Sequence, residues 1–322
     1  MMEKEGSTLK VKLFTHNDLD GIGCAVVAKR AFGSHMVDVV YNKYEDIENN
    51  VYKFLFSAEY EDFDAIFITD ISITESLAEI VDSSFAGKIQ LLDHHATAEG
   101  LNKYNWAKVS VHENALPGIK DGREERLASG TSLFFQFLWD NGLTKDESLI
   151  DFVEQVRKWD SWEWHNVYGG ETTPKQLNDL FYLIGRYEFT DRFVGNPDVT
   201  FTTTERKLLE IEQKRIEFYI KGKRDKLFEV EICGYKAGVV FAEMYHSELG
   251  NVLADENPQY AFIALVSPEG RVSFRSSEDG VHLGEQIATQ FEGGGHEKAA
   301  GGKFDYNLSK VFMKVVLRGD KK

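Results

Sequence analysis

The sequence predicts an α/β fold: a mostly parallel sheet flanked by helices, then a linker helix and a smaller C-terminal α/β domain. Three observations carry that expectation. In the first half, short apolar runs alternate with amphipathic stretches, the pattern of repeated strand–helix units. Several of those runs end in aspartate or histidine. From Phe228 the alternation gives way to closely spaced short runs such as FEVEICG, KAGVVFAE, YAFIALVS and RVSFRSS, which read as strands.

Leu9–Phe14 reads as the first buried strand. After it comes His16-Asn-Asp18-Leu-Asp20-Gly21, then a helix through GIGCAVVAKRAF whose Ile22, Ala25, Val26 and Ala28 are available to pack on a sheet. Val37–Tyr41 is a second strand and Ile47–Phe56 a helix. Asp64–Asp70 is a third strand, residues 73–83 a helix, and Lys88–Leu92 a fourth strand running straight into Asp93-His94-His95.

Residues 1–200 are expected to form one domain, 201–227 a linker helix and 228–322 a second domain. The linker carries Leu208, Ile211, Ile216 and Tyr219 at near-helical spacing and ends in the basic stretch Lys221-Gly-Lys223-Arg224. The reading of that stretch is a cationic helix end complementing the helix dipole. Near the end of the chain, Gly293-Gly294-Gly295 free the backbone to turn N–H groups toward an anion, with His296 and Lys298 beside them. HEKAA after them reads as a helical turn whose N-terminus favours phosphate. Neither the Walker nor the dinucleotide-binding glycine pattern is present.

The chain has 322 residues, with 37 basic against 53 acidic side chains and a net charge of −16. A protein that grips long nucleic acid usually carries a basic footprint, so long duplex is not an expected partner. Two cysteines, Cys24 and Cys233, make neither a disulfide framework nor a thiolate metal site. The apolar runs are short and interrupted by charge, so no membrane partner is expected. The cytoplasm is the expected compartment; a homodimer is left open.

The alternation of His16, Asp18 and Asp20 is the pattern that a polar turn does not explain, because it crowds like charges. Asp70 ends another strand and Asp93-His94-His95 a third. In open α/β sheets ligands bind beyond the carboxyl ends of the strands, so these side chains are delivered to one edge. Cations among them make the crowding tolerable. Carboxylate and imidazole donors without thiolate suit manganese or magnesium, ahead of cobalt or zinc. Asp70 is the natural bridge between two cations, and Asp160 in RKWDSWEW a further ligand. Trp159, Trp162 and Trp164 around it either stack bases or pack in the core.

Together His16-Asn-Asp18-Leu-Asp20-Gly21, Thr69-Asp70, Asp93-His94-His95 and Asp160 resemble, in order, the four motifs of the DHH phosphoesterases. The resemblance implies a two-metal hydrolase, usually manganese-dependent. It implies one cation on His16, Asp18 and Asp70 and a second on Asp20, Asp70, His94 and Asp160. Asp93 would orient a ligand and His95 would face the scissile phosphate. Gly293-Gly294-Gly295-His296 with Ala299-Ala300-Gly301, and Arg275 in VSFRSS, resemble the DHHA1 domain found in one branch of that family. This implies phosphate contacts from Arg275 and His296. WDSWEW with QLNDLFYLIG, and AEMYHSELGN, resemble members that degrade very short RNA to 5′-mononucleotides from the 3′ end. Alternatives are a 3′-phosphoadenosine 5′-phosphate phosphatase, a hydrolase of linear dinucleotides such as pApA or pGpG, and a catalytically silent nucleotide-binding protein. In AEMYHSELGN, His246 and Glu248 read as structural.

Overall fold

The computed structural model describes residues 9–304 apart from 120, 121, 124, 125, 278, 279 and 296. The chain divides into two compact units between Leu209 and Glu210.

The first unit is built on a five-stranded parallel sheet. Its strands are β1 (Val11–His16), β2 (Val37–Asn42), β3 (Ala65–Thr69), β4 (Ile89–Asp93) and β5 (Ala107–Val109), in the order β2-β1-β3-β4-β5. Successive residues point into different cores. Leu13 and Phe67 pack with α1 (Leu19–Phe32) on one face, whereas Phe14, Ile66 and Ile68 pack with α2 (Ile47–Leu55) and α3 (Glu75–Ser84) on the other. Burial on both faces is why these strands read as continuous apolar runs rather than alternating ones. The chain runs outward from β1 to β2 and then crosses back to β3. That reversal opens a crevice at the carboxyl ends of β1 and β3, the usual ligand position in such sheets.

The turn from β1 into α1 explains HNDLDG. Asp18 caps the helix, its Oδ1 accepting the Gly21 N–H at 3.1 Å. A Cβ on residue 21 would lie 2.2 Å from the His16 carbonyl oxygen, so only glycine fits. Two short strands, β6 (His112–Glu113) and β7 (Arg126–Leu127), pair antiparallel after β5. A helical layer follows: α4 (Gly130–Asp140), α5 (Ile150–Asp160), α6 (Glu163–Asn166), α7 (Thr172–Ile184) and α8 (Arg186–Gly195). Of these, α4, α5, α7 and α8 pack against α1.

Helix α9 (Thr203–Arg224) buries Leu209, Ile216 and Ile220. The apolar face is therefore offset from the expected one, since Ile211 is 43% exposed. The basic end of the helix is taken up by ion pairs. Lys223 Nζ donates to the Phe241 carbonyl at 2.7 Å and to Glu243 at 2.8 Å, and Arg224 pairs with Glu256.

The second unit carries a six-stranded mixed sheet. Its strands are β8 (Phe228–Ile232), β9 (Tyr235–Phe241), β10 (Phe262–Val266), β11 (Arg271–Arg275), β12 (Gly294–Gly295) and β13 (Ala299–Lys303), in the order β12-β13-β11-β10-β9-β8. Helix α10 (His246–Glu256) packs on β10 and β11. The helical turn expected at HEKAA is absent: Ala299 and Ala300 belong to β13, paired with Arg275 and Phe274 of β11. Sheet pairing overrides the helix propensity of Glu, Lys and Ala. No helix among the described residues is long and apolar enough to cross a membrane.

Candidate metal centre

Three strand ends and one helix end converge in the first unit. β1 ends at His16, β3 runs into Asp70, β4 ends at Asp93 with His94 and His95 following, and α5 ends at Asp160. Their ligand atoms form three overlapping groups: His16, Asp18 and Asp70; Asp20, His94 and Asp160; and Asp70, Asp93, His94 and His95. Within each group the atoms lie within 4.8 Å of one another. His94 Nε2 stands 3.3 Å from Asp70 Oδ1, 3.4 Å from Asp160 Oδ2 and 3.8 Å from Asp20 Oδ2. His16 Nδ1 stands 2.7 Å from Asp18 Oδ2 and 3.9 Å from Asp70 Oδ2. Asp70 thus belongs to both halves of the cluster.

The backbone aims these groups. Asp70 has a left-handed backbone, φ 58°, a cost the surrounding structure must hold in place. The N-terminus of α4 presents the N–H groups of Gly130 and Thr131 to the two oxygens of Asp20, at 2.5 and 3.0 Å. Thr131 Oγ1 also donates to the Asp20 carbonyl. Ser129 and Ser132 close a capping box that fixes this helix start.

Electrostatically the cluster lacks positive charge. Among the described residues no Lys or Arg pairs with Asp18, Asp20, Asp70, Asp93 or Asp160. Loss of solvent, then the neighbouring Asp20 and Asp18, push the Asp70 and Asp160 carboxyls well above the usual range. Asp160 also sits at a helix C-terminus, where the dipole disfavours an anion. The buried Asp70 Oδ2 has no hydrogen-bond partner. For Asp18 burial is outweighed by the His16 contact, which holds its carboxyl at about 2. Oxygen and imidazole donors, an unsatisfied buried carboxylate oxygen and uncompensated negative charge fit hard divalent cations.

Asp93 plays a different part. Its Oδ1 accepts from the His94 N–H at 2.8 Å and lies 2.7 Å from His95 Nδ1, while Ser72 Oγ donates to Oδ2 at 2.5 Å. Burial opposes its charge, but the hydrogen bond with His95 holds the carboxyl at about 2. The imidazole is pushed up in turn: its burial is outweighed by Asp93. Sequence reading missed Ser72, Gly130, Thr131 and Tyr44, whose hydroxyl lies 3.1 Å from His95 Nε2. It also missed a buried ionic network behind the site. Arg157 pairs with Glu154 at 2.8 Å and Glu163 at 2.6 Å and donates to the Leu127 carbonyl, while Arg126 pairs with Glu154 and Glu113. Ser132, in the α4 capping box, donates to Glu113. The network thereby ties α5, which carries Asp160, to α4, which holds Asp20.

Beside Asp160 the tryptophans pack on one another. Trp162 is half-buried, with ring centroids 5.6 Å from Trp159 and 5.1 Å from Trp164, and Trp164 is buried.

In the second unit Arg275 ends β11. Its Nη2 donates to Ser247 Oγ at 3.0 Å, and burial pushes the guanidinium down to about 10. Gly250 makes room for it, since a Cβ there would lie 2.6 Å from Arg275 Cγ. Gly294 and Gly295 lie two strands away. Both are exposed; a Cβ on Gly295 would meet the Ala299 carbonyl oxygen at 2.7 Å and one on Gly293 the Gly301 carbonyl oxygen at 1.9 Å, whereas Gly294 faces open space. His296 lies outside the described residues. His246 is held at both ring nitrogens, by Ser273 Oγ and the Ala242 carbonyl.

Several solved structures share this fold, two of them as follows. An exonuclease RecJ bound to manganese has a TM-score of 0.54 at 15% identity, over 95% of this chain and 89% of that one. The pGpG-specific phosphodiesterase PggH from Vibrio cholerae has a TM-score of 0.54 at 14% identity, over 96% of this chain and 98% of that one. No family model matches. With a parallel sheet whose switch point gathers the Asp-His-His triplet and its partner aspartates, the chain belongs to the DHH phosphoesterase family. It is 38% identical to oligoribonuclease NrnB of Bacillus subtilis (strain 168) over 317 residues, 96% of this chain and 76% of the relative.

Proposed function

We propose that this protein is a divalent-cation-dependent phosphodiesterase that degrades very short RNA to 5′-mononucleotides from the 3′ end. The carrying observation is the convergence of His16, Asp18, Asp20, Asp70, His94 and Asp160 at the sheet's switch point. The oligoribonuclease relative supports the choice of substrate.

His16, Asp18 and Asp70 would hold one cation, and Asp20, Asp70, His94 and Asp160 the second. Bound there, divalent cations, manganese first among them, activate water and neutralise phosphate charge. The chain's own groups supply orientation. Asp93 fixes the ring of His95 through Nδ1, leaving Nε2 to meet the Tyr44 hydroxyl. The α4 N-terminus holds Asp20 in place. Arg275, with no carboxylate at ion-pair distance among the described residues, would take a substrate phosphate, with the glycine stretch 293–295 and His296. The substrate is a partner small enough to need no basic surface, and the protein would work in the cytoplasm.

The test is hydrolysis of RNA from two to about ten nucleotides, with manganese and with chelator, beside an Asp93→Ala, His94→Ala double variant. Metal-dependent release of 5′-mononucleotides, lost in the variant, is expected. Strands labelled at the 5′ end should keep their label through the first turnover; its immediate release would reverse the polarity. Turnover confined to pApA or pGpG, or to 3′-phosphoadenosine 5′-phosphate, would replace short RNA as substrate. Metal binding without any turnover would mean a silent nucleotide-binding protein.

A further inference from the structure

Tyr44 stands at the centre without belonging to any motif. It lies two residues beyond β2, the strand next to β1. The turn that carries it is fixed: the Asp46 and Ile47 N–H groups both donate to the Lys43 carbonyl, at 3.0 and 3.2 Å. Its base is fixed as well. The buried Asn42 side chain donates to the Val40 and Thr15 carbonyls, and Asn50 donates to Asn42 Oδ1 at 2.9 Å. The ring packs against His16, centroids 4.9 Å apart, and edge-on to His95 at 6.0 Å. Its hydroxyl meets His95 Nε2 at 3.1 Å, the nitrogen not engaged by Asp93.

Yet the residue is 57% exposed. A tyrosine used only for packing is expected to bury more of its ring. A hydroxyl has one proton and two lone pairs, so it can accept from one neighbour and donate to another. Here Asp93, His95 and Tyr44 form a chain from a buried carboxylate to solvent, and the last member of the chain is the phenol.

We infer that Tyr44 is a further catalytic residue: its hydroxyl, backed by His95 Nε2, donates the hydrogen bond that stabilises the oxygen departing from phosphorus. This rests on the phosphodiesterase reading above. On it His95 reaches the substrate through the tyrosine, whose ring also shields His16 from solvent. No bond to Tyr44 forms or breaks; the phenol stabilises charge as it develops.

Leaving-group dependence is the readout that a structural role would not move. Wild type, Tyr44→Phe, His95→Ala and the double variant are assayed on an RNA dinucleotide, whose alkoxide departs poorly. They are also assayed on the p-nitrophenyl ester of a 5′-mononucleotide, whose phenolate departs without help. Tyr44→Phe should lower kcat on the dinucleotide by about 100- to 1,000-fold with KM within about twofold, as for loss of one charge-stabilising donor. On the nitrophenyl ester it should cost less than about threefold, and the double variant should be no slower than His95→Ala, since the two act as one unit. Equal losses on both substrates, a change in KM alone, no change, or multiplicative losses in the double variant would overturn the inference. A wild type that cleaves neither ester overturns the phosphodiesterase reading, and this inference with it. A wild type that cleaves both beside an indiscriminate Tyr44→Phe overturns only the role of Tyr44.

Discussion

Gly130 stands directly against Asp70: a Cβ built on the glycine would lie 2.3 Å from Asp70 Cβ and 2.7 Å from its Cα. The first residue of α4 and the shared aspartate of the cluster therefore occupy one close contact. Gly130→Ala should cost about 1–3 kcal/mol by overpacking. It should also cost more than about tenfold in kcat, because Asp70 and the Gly130 N–H to Asp20 move together. Thermal denaturation and turnover measured in parallel check both; an alanine variant with wild-type kcat would refute the contact's importance.

Asp70 should trade stability for activity. It is 1% exposed and crowded by Asp20 and Asp18, and Asp70 Oδ2 lacks a donor. In metal-free protein Asp70→Asn should raise stability by about 1–2 kcal/mol, since an amide relieves the repulsion. The same variant should show no thermal shift with manganese, where wild type is expected to show one, and should lose nearly all turnover. If Asp70→Asn melts below wild type when both are metal-free, this account is contradicted.

The buried network should be fragile to single deletions. Arg157 has a fully buried side chain between Glu154 and Glu163, so Arg157→Ala removes the cation the two share and leaves Glu154 to Arg126 and Glu163 to Arg123 alone. The expected loss is about 3–5 kcal/mol, read from urea unfolding. A change below about 1 kcal/mol would mean that the network is dispensable.

Acid should act through Glu163. Burial works to raise its carboxyl, but hydrogen bonds from Arg123 and Arg157 outweigh it and leave it below the ordinary value. Because the unfolded chain binds this proton more readily than the folded one, the stabilisation is present above the ordinary glutamate range. It is lost as pH falls through the lowered value. Melting temperatures from pH 7 down to about 3 should fall for wild type and fall less steeply for Glu163→Gln, which starts lower. Parallel curves would assign the acid sensitivity elsewhere.

Trp162 should matter to folding more than to substrate. Its ring lies against Trp159 and Trp164 and its backbone is left-handed, φ 60°. Trp162→Ala should cost about 2–3 kcal/mol, below the value for a fully buried ring. Unchanged melting with a raised KM for dinucleotides would instead make it a base-stacking platform.

What sequence could reveal depended on distance along the chain. His16, Asp18 and Asp20 were legible because capping, a strand end and a glycine turn fall within six residues. The α/β alternation was legible because burial on both faces imposes apolar runs on the strands. Tyr44 was not, because its partner His95 lies 51 residues away and nothing in NKYED marks it. The Arg157 network joins residues from 113 to 163, each an ordinary charge when read alone. Ala299 and Ala300 misled for the opposite reason: their local helix preference was plain, and pairing with β11 overruled it.

The cluster draws on positions 16, 70, 94 and 160, so no fragment of the first unit holds a complete set. A chain still emerging from the ribosome, with α5 unmade, lacks Asp160 and cannot close the centre. Completion of the cluster is in this way a late event of folding. Cations held by the completed cluster would then favour the folded state, by RT ln(1 + [L]/Kd). The supply of free cation would thus set how long each molecule survives proteolysis, as well as how fast it works.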